Sequence, residues 1–231
     1  MFSLKRLSVL MIMAVFAVSA AAAQNREMSV EESYLQESIE MMIIRETVRA
    51  NNRDSKIIGL GYIGEAINRG STNDEIRLAL QELALEGTNS VARERGRIVN
   101  NFPDVRRQAV KYLGQLGTEE AKDALLTVCQ AENEPMVLQE AVKSLGEIGL
   151  NENNKTIDTI VWVVRRFDQL KPDNLLALAT IEAIEKIARN GENFNSPDAI
   201  NLLLSFTTGS YTRSVQERAK QSIAGLRNNS R

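Results

Sequence analysis

Around residue 105 the apolar positions return at three- and four-residue steps. Val105, Ala109, Val110, Leu113 and Leu116 fall on one stripe, with Arg106, Arg107, Lys111 and Gln115 off it. This period predicts an amphipathic helix with one core-facing side. Pro103 and Asp104 open it, since the first N–H groups have no intrahelical partner and an acid suits the positive end of the dipole; Gly117 closes it. The pattern recurs 32 residues later, and seven of thirteen aligned positions from Val105 and Val137 onward are identical. Weaker copies place Gly59, Thr180 and Ala219 where Ala109 and Ala141 stand, giving spacings of 50, 32, 39 and 39 residues.

Between these helices run second apolar helical stretches, for example residues 119–130 and 156–167, so the repeated unit reads as an antiparallel helix pair. Such a unit cannot bury its apolar side alone and must stack on its neighbours. The expected fold is therefore all-α, an α-solenoid of about four to five repeats. Its expected span is residues 51–231, with a helical cap over 24–50 and an insertion at 87–102.

The string PDVRRQAVKYLGQLG from Pro103 to Gly117, followed by Thr118, Glu119, Glu120, Ala121, Leu125 and Leu126, closely resembles bacterial HEAT repeats of the phycobilisome-lyase-like type. The likeness extends loosely over residues 54–226. The outer copies depart from it, with Gly59 and Thr180 in place of the small alanine and Ala183-Ile184-Glu185 in place of Ser-Leu-Gly. The resemblance implies a protein-binding scaffold without enzymatic activity. A helper for an enzyme or a cofactor-attachment system is the alternative it leaves open. Pigment attachment itself is not carried over, because no residue matches a pigment site beyond the repeat skeleton.

The first 23 residues break the pattern. Lys5 and Arg6 precede an apolar run over residues 7–18, then Ser19 and four alanines ending at Ala23. That order predicts a secretory signal cleaved before Gln24, since the run is well short of the ~20 residues that cross a bilayer. A periplasmic or secreted protein is expected. An uncleaved membrane anchor is the other reading. Removing Lys5 and Arg6 with this segment takes the formal net charge from −2 to −4. A mildly acidic, exported chain is expected to bind protein rather than nucleic acid.

Candidate chemistry is sparse. With 0 His and 1 Cys, the chain lacks the residues of common zinc sites and of Ser-His-Asp or Cys-His nucleophile systems. No metal, cofactor or catalytic residue is expected, and Cys129, in an apolar helical stretch, reads as a small buried hydrophobe. Gly59, Gly61 and Gly64 satisfy G-x-G-x-x-G, which raises an NAD-dependent oxidoreductase as a third reading. That motif needs a buried strand before it and an acid-tipped strand about twenty residues on, whereas residues 72–86 are helical in pattern, so glycines that permit close helix packing are favoured.

Two groups stand out as candidate partner-binding residues. Arg93, Arg95 and Arg97 lie in the insertion, where a solvated helix and loop competes with an anion-binding reading. On residues 156–167, Ile157, Ile160, Val161, Val164 and Phe167 form one stripe, and at ~100° per residue Trp162 projects from nearly the opposite side, near Arg165 and Arg166. Trp162 is then a contact for a partner, or else packs under the following repeat as core. In HEAT-type solenoids the second helix of each pair usually lines the inner face, so the resemblance implies that Trp162 stands on the concave surface.

Overall fold

The computed structural model describes residues 29–88, 91–168, 172–191, 194–208 and 210–229. The predicted signal, its cleavage point and Gln24 lie outside these residues. The chain divides into two units, Met1–Met42 and Ile43–Arg231.

In the first unit, the described residues enter helix α1 (Val30–Arg49), whose last turns belong to the second unit. A reciprocal cap starts it: the Glu32 N–H donates to Ser29 Oγ (3.2 Å), and the Ser29 N–H donates to the Glu32 carboxylate (3.0 Å). Val30, Tyr34, Leu35, Ile39 and Met42 are all exposed.

The second unit continues with α2 (Arg53–Asn68), α3 (Asp74–Leu85), α4 (Pro103–Leu116), α5 (Glu119–Ala131), α6 (Pro135–Ile148), α7 (Lys155–Asp168), α8 (Asn174–Asn190), α9 (Pro197–Phe206) and α10 (Arg213–Asn229). It is an all-α helical-repeat solenoid. Helices α2, α4, α6, α8 and α10 follow one another in one layer, and α3, α5, α7 and α9 in the other. Asn52, Asn73, Thr118, Asp173 and Ser196 each accept an N–H bond from the first turn of α2, α3, α5, α8 and α9, so side-chain caps fix most helix starts. Gly117 and Gly149, at φ 68° and 72°, end α4 and α6 in the left-handed conformation that a side chain resists.

The first layer is the closely packed one. A Cβ on Gly114 would lie 2.6 Å from the Ser144 side chain, and one on Gly146 would lie 2.7 Å from Ala183 Cβ. Glycine is therefore what lets α4 approach α6, and α6 approach α8. Ala109, Leu113, Ala141 and Leu145 are fully buried at the α4–α6 junction.

Two local expectations fail. Arg106 does not lie off the stripe; it is 1% exposed. It stands three residues before Ala109 and seven before Leu113, which is the same side of the helix, and a buried carboxylate answers its charge. The insertion is not helical either. It holds a two-stranded ribbon, β1 (Arg93–Glu94) with β2 (Arg97–Ile98), turned through Arg95 and Gly96 at φ 49° and 82°. Two successive positive φ values match the hairpin turn whose twist suits flanking strands.

Candidate partner-binding surfaces

Arg106 joins three elements. Its Nε donates to Glu132 Oε2 (2.6 Å), one Nη to Asn101 Oδ1 (2.8 Å) and to the Glu86 carbonyl (3.3 Å), and the other to Glu132 Oε1 (3.3 Å). Glu132 Oε1 also accepts the backbone N–H groups of Asn133 and Glu134 just before α6, at 2.8 and 3.0 Å. The pair is thus desolvated but fully bonded, the condition under which a buried ion pair is tolerated.

From that junction the structure reaches Trp162. An Arg166 Nη donates to the Glu132 carbonyl (2.7 Å) and its neighbour to the Gln130 carbonyl (3.4 Å), answering the negative end of α5. The same guanidinium lies 4.5 Å from the Trp162 ring centroid and 5.2 Å from that of Phe167. Arg165 reaches the other way, donating to Asp198 at the start of α9 (3.1 Å). Ile157, Ile160, Val161, Val163 and Val164 are buried beneath, while Trp162 is 46% exposed. Trp162 is therefore not ordinary core.

Trp162 stands on the layer formed by α3, α5, α7 and α9, and its ring is half-exposed there.

Arg93, Arg95 and Arg97 are all exposed, at and beside the ribbon turn, and are remote in sequence from Trp162. Arg93 is paired across the ribbon with Ile98 and Glu94 with Arg97, so Arg93 and Arg97 leave opposite faces. An Arg93 Nη donates to the Gly96 carbonyl across the turn (3.3 Å).

A third surface was not legible in the sequence. A groove of about 630 Å³ lies across α2, α4 and α6, with Ile57, Leu60, Tyr112 and Met136 among its apolar walls and Arg107, Lys111, Glu140 and Lys143 among its polar ones. Arg53 bonds to Asp104, with one contact at 2.9 Å, and holds its carboxyl below the usual carboxylate range. Arg107 donates to Glu140 at 3.2 Å.

The glycine motif lies wholly inside α2, which excludes the strand-and-turn geometry of a dinucleotide site. A Cβ on Gly59 would collide with Thr47 Oγ1 and one on Gly64 with the Tyr112 ring, while one on Gly61 would meet nothing within 4 Å. Two of the three glycines thus serve close packing. Cys129 is buried, and desolvation pushes its thiol up to about 12, far from a reactive thiolate. Among the described residues no group of His, Cys, Asp and Glu could hold a metal ion, and no helix is long and apolar enough to cross a membrane.

Residues 97–166 match the family model of HEAT repeats, which covers α4 to α7 apart from the last turn of α7. HEAT repeats generally serve as protein-interaction scaffolds and are typically not enzymes. No curated protein matches the chain. Among solved structures, a de novo designed 16-helix transmembrane nanopore determined by cryo-EM aligns at 17% identity and a TM-score of 0.27. That alignment covers 85% of this chain and 62% of the nanopore chain, so this chain spans less than two thirds of its length. A superposition that loose carries no argument about fold or function.

Proposed function

We propose that the chain is a non-enzymatic interaction scaffold, exported to the periplasm or cell envelope of a bacterium, that holds a protein partner on the surface around Trp162. The observation that carries this reading is a half-exposed tryptophan on a fixed mount. Arg166 is bonded to two carbonyls at the end of α5 and stacked against the indole, so the ring is ordered before any partner arrives. Binding then loses little side-chain entropy. Trp and Arg are the side chains most enriched at binding hot spots, and Arg165 extends the same surface toward α9. Arg93, Arg95 and Arg97 offer a second, cationic contact for an acidic part of the partner.

Trp162 is the 1 Trp in the chain, which makes it both the anchor and its own probe. Partner docking should shift its emission to the blue. Trp162→Ala should abolish partner capture from envelope extracts while leaving the thermal transition nearly unchanged. A loss of the ~3 to 5 kcal/mol typical of a truncated buried aromatic would instead make Trp162 structural.

Export rests on Lys5, Arg6, the apolar run over residues 7–18 and the alanines ending at Ala23. N-terminal sequencing of the protein from its native cell should begin at Gln24. A mature chain that keeps residues 7–18 would mean an anchored protein instead.

A further inference from the structure

We propose that the groove across α2, α4 and α6 takes an acidic amphipathic helix of a partner protein, with aliphatic side chains against Ile57 and Met136 and carboxylates against Lys111 and Lys143. The groove stands on the other layer from Trp162, so the inference goes beyond the reading above. Its three helices run in the same direction. Arg53 joins Asp104 at the starts of α2 and α4, and Gly64 meets Tyr112 later along both. Arg107 joins Glu140 early in α4 and α6, and Gly114 meets Ser144 near their ends. Ile57 and Met136 therefore lie toward one end of the groove and the two lysines further along, with Met136 and Lys143 about 10 Å apart down α6. On α2 the position that aligns with Lys111 and Lys143 is Gly61, where a Cβ would meet nothing within 4 Å, so room is left there for a guest.

Charge selects the guest. The acids of the groove are already answered, Asp104 by Arg53 and Glu140 by Arg107. Lys111 and Lys143 are exposed, and among the described residues neither forms an ion pair; Glu182, whose field reaches Lys143, is bonded to Lys186 at 2.8 Å. The groove thus keeps an excess of positive charge on a chain whose formal net charge is −2. A phosphate-rich polymer would use the lysines but leave Ile57 and Met136, each 39% exposed, against water. A wholly apolar segment would cover both ammonium groups without answering them. A helix that carries aliphatic residues and acids on one side satisfies both halves, by anchors at helical spacing and by opposite charge.

Panning a display library of random peptides, each about 20 residues long and so able to form a helix, against the full mature chain tests this. Enriched sequences should carry aliphatic residues and acids on one helical side. The corresponding synthetic peptides should bind wild type and Trp162→Ala alike, and bind Lys111→Glu/Lys143→Glu and Ile57→Gln/Met136→Gln at least about tenfold more weakly. Binding to wild type should weaken at about 0.5 M salt, where exposed charges are screened. All four substituted side chains are exposed, so both double variants should melt like wild type. Exchanging a peptide's acids for lysines should move its preference from wild type to Lys111→Glu/Lys143→Glu. No enrichment, enrichment of peptides without acids, or binding that survives either double variant would overturn the proposal. So would displacement of the peptides by anionic phospholipid vesicles, which would make the groove a membrane contact. Loss of binding in Trp162→Ala would place the peptides on the other layer, overturning the groove while leaving the Trp162 surface standing.

Discussion

Helices α6 and α1 show how little a residue's own polarity decides burial in this fold. In α6, Val137, Leu138, Ala141, Val142 and Leu145 are buried, and so are Glu140 and Ser144. In α1, Leu35, Ile39 and Met42 stay in water. The difference is what surrounds each helix. Helix α6 has α4 on one side, α8 on the other and α5 beneath, so even its polar residues are enclosed and must find partners: Glu140 takes Arg107, and Ser144 Oγ donates to the Val110 carbonyl at 3.2 Å. In a stack of repeats, stability follows the number of neighbours that enclose a position.

The same substitution on the two helices sharpens this contrast most. Leu145→Asp should unfold the adjoining repeats, because an unpaired charge in a closed core costs several kcal/mol against a total stability of ~5 to 15. Ile39→Asp should change stability by no more than about 0.5 kcal/mol. Urea titration of both variants reads the difference, and a wild-type-like midpoint for Leu145→Asp would contradict the stacking.

Glycines offer a smaller version of the test. Gly146→Ala should destabilise by ~1 to 3 kcal/mol, because the new Cβ would sit 2.5 Å from Ala183 Cα, which is backbone and cannot swing away. Gly61→Ala meets nothing within 4 Å and should stabilise α2 by ~0.5 to 1 kcal/mol. Thermal melts that rank the two in the reverse order would break the claim that glycine spacing holds the first layer together.

The repeat skeleton was readable because it is local: a 3.6-residue period, a proline start and a glycine stop all lie within about fifteen residues. The outward aim of Trp162 was readable for the same reason. Arg106 was not legible as a buried residue because its charge argues for solvent while its helical position argues for the core, and its partner Glu132 lies 26 residues away with no local mark. The ribbon was missed because two-residue strands are too short to show alternation, leaving Arg95-Gly96 as the only turn signal. The groove needs three helices from different repeats brought side by side, which no single stretch of sequence displays.

Native-state hydrogen exchange on the full chain tests the division between an interlocked spine and an exposed helix most directly. The amides of α4 and α6 should exchange only through global unfolding, and those of residues 35–42 at least about a hundredfold faster, through local opening. Equal protection of the two regions, or slower exchange in α1 than in α6, would contradict it.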